Sequence, residues 1–173
     1  EFIVSMINES LELDPDRKVI VFSQFRSVQK KLIEIFGQDK CCAILGHFSD
    51  KKRKEQENEF KTNCDKKVLV SSLISGGVGL NLVCADMVFF CDLGWTPTLH
   101  DQAEDRVMRI GQQRNVNIYY FIYRDSIEIQ LLKFLEKKKD ILSNIVDGSS
   151  KKIEFNEESM IYEFIEDYCK KIK

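Results

Sequence analysis

The sequence predicts an α/β protein in which a parallel β-sheet carries helices on both faces. Five short apolar runs, rich in valine, isoleucine and phenylalanine, have the length of buried strands. Segments with helical spacing separate most of these runs, which is typical of βαβ units. The composition, 43% hydrophobic and 31% charged with two prolines and eight glycines, is that of a folded globular chain. We expect the 173 residues to form one domain that buries roughly 70% of the surface of its unfolded chain.

The first half of the chain contains three predicted helices and three predicted strands. Ser49 precedes a strongly charged helical segment and is a favourable N-cap. Because that helix has few apolar residues, we expect it to lie exposed. In chain order, the predicted elements are a helix over 2–13, a strand over 18–24, a helix that stops at Gly37, a strand over 41–45, a helix over 50–62 and a strand over 67–72.

The second half continues the alternation and ends in a more polar tail. Thr96 and Pro97 are a good helix start, because the fixed φ of proline suits the first helical position. The predicted elements are a strand over 87–93, a helix over 97–110 that ends at Gly111, a strand over 116–123 and a helix over 126–142. After Gly148 an amphipathic pattern returns at Ile161, Phe164, Ile165 and Tyr168 and predicts a helical C-terminal extension. We therefore divide the chain into 1–16, 17–142 and 143–173.

Charge and cysteine usage exclude several classes of protein. The formal net charge of -2 excludes a globally basic nucleic-acid-binding surface but permits a local one. The six cysteines contain no CxxC pair and the two histidines lie far apart, so we expect no metal site. Cys84 and Cys91 flank an apolar run in which buried reduced thiols are common, which predicts a reducing intracellular compartment.

Neither a membrane span nor a secretion signal is expected. No apolar run approaches the roughly 18 residues that a bilayer requires, and the N-terminal EFIVSMI is too short and too acidic for a signal peptide. The sequence begins without methionine inside a helical pattern. We therefore expect it to be a fragment of a longer protein.

The segment QAEDRVMRIGQQR, residues 102–114, is the strongest candidate for a functional site. On a helix over 97–110, Gln102, Arg106 and Arg109 would share one face and converge on one spot. The structural alternative is that two arginines near a helix C-terminus stabilise the helix dipole, with Asp105 and Arg109 as an i,i+4 pair.

Three other features also have a functional and a structural interpretation. The SGGVG loop at 75–79 exposes backbone amides to which an anion could bind, but it also fits a simple tight turn. Trp95, the one tryptophan, could anchor its own loop. The KKRK run at 51–54 is either a solvated helix face or a set of phosphate contacts.

Five motifs in order resemble the second motor lobe of Swi/Snf-type ATPases, which are double-stranded DNA translocases of helicase superfamily two. They are KVIVFSQF, LGHFSDKKR, VLVSSLISGGVGLNLVCAD, GWTP and QAEDRVMRIGQQR, and together they cover roughly residues 18–140. The resemblance implies a RecA-like lobe in a nuclear protein whose partners are double-stranded DNA, with nucleosomes as a further candidate, and an N-terminal motor lobe. That N-terminal lobe would hold most of the ATP and Mg²⁺ site.

The same resemblance assigns roles to individual residues. Arg106 and Arg109 would reach across the lobe interface to the nucleotide phosphates, where a guanidinium can donate two hydrogen bonds at once. The residues on the nucleotide side would be Gln102, Gly77, Gly79, Asn81 and Gln112. The residues that face the DNA backbone would be Ser23, Gln24, Phe25, His47, Ser49, Ser71, Ser72 and Trp95, gripping phosphates without recognising bases.

Two elements of a complete ATPase are missing from these residues. No glycine is followed by lysine, so a GxxxxGK[ST] phosphate loop is absent, and there is no Asp-Glu dipeptide for the metal and the water. We therefore expect the chain by itself not to hydrolyse ATP. A dehydrogenase is excluded, because no GxGxxG follows the first strand.

The biological output and one alternative class of protein stay open. Nucleosome remodelling is one output; the other is DNA repair or fork remodelling, because QAEDRVMRIGQ followed by VNIYYF resembles annealing helicases. The alternative class is a non-enzymatic nucleic-acid-binding or protein-interaction module that keeps a RecA-like fold. A phosphate loop and an Asp-Glu motif upstream in the gene would distinguish the motor from that module.

Overall fold

The computed structural model describes residues 1–74, 79–124, 126–146, 164–166 and 168, with only the backbone described over 140–146. The chain forms two compact units, one of residues 1–94 and 98–121 and one of residues 95–97 and 122–173. The elements are α1 (Phe2–Leu13), β1 (Val19–Phe22), α2 (Arg26–Lys40), β2 (Cys41–Ile44), α3 (Asp50–Thr62), β3 (Val68–Ser71), β4 (Met87–Phe90), α4 (Pro97–Glu104), β5 (Asn117–Tyr120) and α5 (Ile127–Val146).

The five strands form one parallel sheet in the order β2-β3-β1-β4-β5. Val19 at the start of β1 lies opposite Val68 of β3 on one side and Met87 of β4 on the other. Every residue of the first four strands is buried, as expected for strands covered on both faces, whereas β5 at the edge is largely exposed. The predicted parallel α/β fold is confirmed.

Alternate residues of β1 pack into two separate cores, one on each face of the sheet. Ile20 and Phe22 join Phe60 of α3 in the first core. Val19 and Val21 join a second core that contains Ile7 of α1 together with Leu32 and Phe36 of α2. Because side chains of a strand point alternately to opposite faces, this division places helices on both faces of the sheet.

Helix α3 has the predicted bounds and cap, and most of its residues are exposed as predicted, but it has two buried residues. The Ser49 hydroxyl accepts a hydrogen bond from the Lys52 amide at 3.3 Å, as an N-cap does. Phe60 is fully buried and Glu57 is 9% exposed. These two residues lie one turn apart on the same face of the helix. Two buried side chains are therefore enough to pack this helix on the sheet.

The helix predicted over 97–110 is wrong at its C-terminal end, because α4 stops at Glu104 and residues 105–111 form turns. The Arg106 carbonyl accepts a hydrogen bond from the Leu82 amide at 3.0 Å. This tertiary bond takes the acceptor that a continuing helix would use. Gln102, Arg106 and Arg109 therefore do not share one helix face, and the described salt bridges do not include a pair between Asp105 and Arg109.

Two smaller differences concern the ends of other elements. Helix α2 extends to Lys40, past the predicted stop, but Gly37 interrupts it with φ +71° and ψ 163°. The positive φ explains why a glycine stands there. In the C-terminal region, residues 164–166 and 168 are helical, whereas Ile161 of the predicted amphipathic pattern lies outside the described residues. The division at 16 and 142 stays a prediction, although Ile7 of α1 packs in a core of the sheet.

The described cysteines are free thiols. Cys41 and Cys42 are buried, Cys84 and Cys91 are half-buried, and Cys64 is exposed. Burial raises the pKa of Cys41 and of Cys91 to about 12, so both are neutral thiols at physiological pH. Within the described residues there is no group of three His, Cys, Asp or Glu side chains arranged to hold a metal, and no helix long and apolar enough to cross a bilayer.

Candidate functional site

The residues after α4, 105–111, are called the arginine segment here, and Arg106 is its buried arginine. The Arg106 side chain is 8% exposed, and its Nε donates to the Gln102 carbonyl at 2.9 Å. Its Nη1 is buried and has no hydrogen-bond partner among the described residues. Because the bond from Leu82 fixes the Arg106 backbone as well, the unpaired nitrogen is held in place rather than left on a free side chain.

The electrostatic environment of Arg106 is that of an incomplete anion site. Burial lowers the pKa of its guanidinium, and the nearby charge of Arg109 lowers it further, while Asp105 and Glu57 raise it. Arginine nevertheless keeps its proton at neutral pH. A buried cation with an unpaired N–H beside a second cation favours an anion with several oxygens, such as a phosphate.

Gln112 anchors the end of the arginine segment. Its Nε2 donates to the Ala85 carbonyl at 2.7 Å and to the Val107 carbonyl at 3.3 Å, and its Oε1 accepts from the Arg114 amide at 2.9 Å. These bonds tie the segment to the start of β4. The predicted nucleotide contact of Gln112 stays a prediction, and the structure gives its amide an internal anchoring role.

The connection between β3 and β4 approaches the arginine segment from the other side. The Asn81 amide donates to Glu57 Oε1 at 3.0 Å, and Leu82 next to it is bonded to Arg106. Gly79 is exposed and has φ +62°, a conformation that favours glycine. Gly77, the other glycine assigned to the nucleotide side, lies in 75–78, outside the described residues.

Gln102 and Arg109 present exposed side chains near Arg106. The Gln102 carbonyl holds Arg106 Nε, and the Arg109 carbonyl accepts from the Gln112 amide at 3.0 Å. Gln102 is therefore bonded to Arg106 through its carbonyl, and Arg109 lies three residues further along the same segment. The two residues do not share a helix face with Arg106, contrary to the prediction from sequence. Their nucleotide contacts stay predictions.

A second group of polar side chains lies at the carboxyl ends of β1 and β4; Ser23, Gln24, Gln29 and Asp92 form this strand-end cluster. The fully buried Ser23 hydroxyl donates to Asp92 Oδ2 and accepts from the Phe25 amide at 3.2 Å. Asp92 Oδ1 accepts from the Gln24 amide at 2.9 Å, and Gln29 Nε2 donates to the Ser23 carbonyl at 2.6 Å. The Ser23 hydroxyl, predicted to face DNA, is thus engaged inside the protein.

The other residues assigned to DNA divide into buried and exposed groups. Ser71 and Ser72 are buried at the end of β3, where the Ser71 hydroxyl donates to the Ser72 carbonyl at 3.3 Å. Phe25 is 53% exposed, and His47 and Ser49 are exposed. In the second unit, Trp95 is 55% exposed and meets the Phe164 ring edge-on at 6.0 Å between centroids. The exposed members are the ones available for direct contact.

His100 supports the strand-end cluster from α4. Its Nε2 accepts from the Gly94 amide at 2.9 Å, which requires a ring nitrogen without a proton. Burial lowers the pKa of His100, while the acids Glu104, Asp101 and Asp92 raise it by less. The ring is therefore neutral at physiological pH and orients the backbone just before Trp95.

The sequence interpretation missed Glu57, Asp92 and His100. Glu57 was hidden in a charged helix, but its position one turn before Phe60, a large apolar residue of that helix, would have predicted a buried face. Asp92 ends an apolar run, where an acid is unusual enough to mark a buried partner. His100 carries no local signal in the sequence.

The sheet topology defines the class of this protein, an α/β lobe of the RecA-like type. Residues 2–111 match the family described as helicase conserved C-terminal domain, and the chain belongs to that family. The resemblance to the C-terminal motor lobe of Swi/Snf-type ATPases is confirmed.

The relatives are much longer proteins. Transcription termination factor 2 of Drosophila melanogaster is 36% identical over 150 residues, which are 85% of this chain and 14% of that protein. DNA repair protein RAD5 of Saccharomyces cerevisiae is 40% identical over 132 residues, which are 72% of this chain and 11% of that protein. The crystal structure of the C-terminal part of the Fun30 ATPase domain superposes with a TM-score of 0.68 and 30% identity, over 75% of this chain and 44% of that one.

Proposed function

We propose that this chain is the C-terminal half of an ATP-dependent double-stranded DNA translocase of the Swi/Snf type, and that Arg106 and Arg109 act on the ATP phosphates as arginine fingers. The observation that carries the proposal is the buried, unpaired Nη1 of Arg106 next to the charge of Arg109. Leaving a charged donor unsatisfied costs more than the roughly 1 kcal/mol that a surface helix-end contact returns. A phosphate oxygen supplied from outside the chain would satisfy it.

The described residues fit the phosphates of ATP but not the metal. ATP supplies a γ-phosphoryl group whose oxygens are stabilised by cations during transfer. Two guanidinium groups suit those oxygens, whereas the described residues contain no cluster of acids to hold Mg²⁺. Mg²⁺ and most of the nucleotide would therefore belong to an N-terminal motor lobe outside these residues.

Exposed apolar side chains in the arginine segment support a lobe interface there. Ile110 is 99% exposed and Met108 is 48% exposed, on either side of Arg109. Apolar side chains beside a cation that lacks a partner are typical of a surface that another protein surface covers. In the proposed motor, closure of the two lobes on ATP would cover this segment and bring both arginines to the phosphates.

The DNA side of the motor would use the exposed residues beside the strand ends. Phe25, His47 and Ser49 follow β1 and β2, and the nearby lysines of α3 add positive charge. Such contacts would grip the sugar-phosphate backbone without recognising bases. Relatives are named for DNA repair and for transcription termination, so repair or fork remodelling and chromatin remodelling, all nuclear, are both consistent outputs.

Arginine substitutions in the complete motor protein test the proposal. Arg106→Ala and Arg109→Ala are each expected to lower DNA-stimulated ATP turnover by about 10³-fold, the usual size of a finger effect. Arg124→Ala, an exposed arginine outside the arginine segment, is the control and is expected to leave turnover unchanged. A loss of about fivefold or less in both test variants corresponds to a helix-end contact and would reject the finger assignment.

The isolated chain provides a second test against the non-enzymatic alternative. Without a phosphate loop, the 173-residue chain is expected to show no DNA-stimulated ATPase activity, whereas the complete motor is expected to be active. An inactive complete protein that still binds DNA would instead favour a binding module with a RecA-like fold.

A further inference from the structure

Glu57 is a buried carboxylate that binds the connection between β3 and β4 next to the residue bonded to Arg106. It lies on α3 and is 9% exposed, and its Oε1 accepts from the Lys61 ammonium group one turn later and from the Asn81 amide at 3.0 Å. The bond to Asn81 joins α3 to the connection between β3 and β4. Burying a carboxylate costs free energy unless the carboxylate is paired and hydrogen-bonded. A salt bridge to one lysine could form at the surface without that cost, so the burial of Glu57 points to its second bond, to Asn81.

Two hydrogen bonds, joined through the backbone of Asn81 and Leu82, link Glu57 to the backbone of Arg106. Asn81 is held by Glu57; the next residue, Leu82, donates its amide to the Arg106 carbonyl at 3.0 Å. Arg106 Nε then donates to the Gln102 carbonyl at 2.9 Å. Every link is a backbone bond or a charge-assisted bond, so displacement of Asn81 would be transmitted to the backbone of Arg106.

The negative charge of Glu57 also acts on the Arg106 guanidinium. Burial and the charge of Arg109 lower the pKa of the Arg106 guanidinium, and Glu57 is one of two acids, with Asp105, that raise it. A cation that must stay buried without a full set of partners needs such a compensating charge. Glu57 supplies one from an element other than that of Arg106.

We propose that Glu57 is a positioning residue for Arg106: its carboxylate fixes the Asn81–Leu82 backbone to which Arg106 is bonded and supplies negative charge that keeps the guanidinium buried. The inference rests on the proposed function insofar as Arg106 acts on ATP. It goes further by assigning the control of that arginine to helix α3. A substitution of Glu57 on α3 should therefore alter the ATP turnover of the complete motor, although Glu57 itself does not contact the nucleotide.

A double-mutant cycle in the complete motor protein tests this inference. Glu57→Ala is expected to lower kcat by about tenfold with little change in the KM for ATP, because misplacement of a catalytic group costs turnover rather than binding. Glu57→Gln keeps an acceptor for Asn81 and is expected to recover part of the loss. In an Arg106→Ala background, Glu57→Ala is expected to have an effect of less than about twofold, since both changes act through one group.

Glu59→Gln is the matched control on the same helix. Glu59 also pairs with a lysine, Lys66 at 3.1 Å, but its described bonds do not reach the connection between β3 and β4. It is expected to leave kcat unchanged. An equal loss from Glu57→Ala with and without Arg106 would overturn the positioning role while leaving the finger assignment intact.

A measurement on this chain alone separates the inference from the proposed function. Glu57→Ala is expected to speed hydrogen exchange of the Asn81 and Leu82 amides by about tenfold, because the Asn81 amide loses its acceptor and the Leu82 amide next to it is no longer held in line with the Arg106 carbonyl. Glu59→Gln should not. If the Leu82 amide keeps its wild-type protection in Glu57→Ala, Glu57 does not control the backbone of Arg106, whatever Arg106 does in the motor. If exchange rises but Arg106→Ala keeps full turnover, the proposed function fails instead.

Discussion

The arginine segment and the strand-end cluster lie in the same compact unit but differ in whether their buried polar groups are hydrogen-bonded. In the strand-end cluster, Ser23, Gln24 and Gln29 are bonded to Asp92 or to backbone groups. In the arginine segment, Arg106 keeps a buried nitrogen without a partner in the part of the chain that the structure describes, and Arg109 is exposed. Among the described residues, the first region satisfies its buried polar groups and the second does not.

This difference separates residues that stabilise the fold from residues that await a ligand. Buried polar groups in native proteins are nearly always bonded, so an exception needs an explanation. Arg53, Asp86 and His100 also have one such atom among the described residues, and Arg106 differs from them in lying beside the charge of Arg109. By that criterion the strand-end cluster belongs to the structural framework, while the arginine segment is the candidate ligand site. Substitutions in the strand-end cluster should therefore lower mainly the stability of the fold. Substitutions of the arginines should lower mainly the ATP turnover of the complete motor.

Asp92→Ala should have the largest effect on stability. The change removes the acceptor of the fully buried Ser23 hydroxyl and of the half-buried Gln24 amide, so both donors lose their partner. We expect the free energy of unfolding, measured by urea titration, to fall by about 3 kcal/mol. Asp65→Ala, at an exposed carboxylate, should change it by less than about 0.5 kcal/mol. A loss below about 1 kcal/mol at Asp92 would mean that the cluster is not self-sufficient.

Gln112→Ala should have the next largest effect. It removes bonds to the Ala85 and Val107 carbonyls and to the Arg114 amide, which anchor the end of the arginine segment. We expect a fall of about 2 kcal/mol in the free energy of unfolding. The adjacent Gln113 is exposed, so Gln113→Ala is a matched control with no expected change. Equal effects of the two substitutions would refute the anchoring role of Gln112.

His100 should make stability depend on pH. Its folded-state pKa lies below the ordinary value of 6.5, chiefly because of burial, so the unfolded chain binds more protons in this range. Stability is therefore full above that value and falls as the pH decreases below it, by about 1 kcal/mol, the worth of the Gly94 bond. This loss of stability at lower pH should vanish in His100→Gln and persist in His47→Gln, a substitution of the exposed histidine, when the free energy of unfolding is measured at pH values above and below 6.5. A pH response that is the same in wild type and His100→Gln would contradict it.

Arg106→Met should have the smallest effect on stability. The substitution loses the bond to the Gln102 carbonyl but also removes an unpaired buried cation, and a methionine of similar length keeps the packing. We expect the free energy of unfolding to stay within about 1 kcal/mol of wild type, while ATP turnover of the complete motor collapses. A loss of about 3 kcal/mol would instead make Arg106 part of the structural framework.

Much of the fold could be predicted from sequence because strands and helices leave periodic patterns. The continuous apolar runs predicted all five strands, and Ser49 predicted the start of α3. The end of α4 could not be predicted, because a tertiary bond from Leu82 to the Arg106 carbonyl competes with helix continuation, and no local pattern encodes it. Gly111, with φ +106°, marked the end of the turns instead of the end of the helix.

The candidate site was only partly predictable for a similar reason. Motif resemblance located Arg106 and Arg109, but burial decides what each side chain does, and burial depends on contacts distant in sequence. Ser23 and Ser71 have the chemistry of phosphate ligands, yet both are fully buried and bonded internally. Glu57 has the appearance of a solvated helix charge, yet it contacts Asn81, 24 positions away.

The most direct test of the account is a structure of the complete motor protein with an ATP analogue bound. The account predicts that Arg106 Nη1, unpaired among the described residues, lies about 2.8 Å from a phosphate oxygen, with Arg109 beside it. It would be contradicted if the nucleotide were bound with both lobes closed while Nη1 remained without a phosphate partner or pointed into solvent.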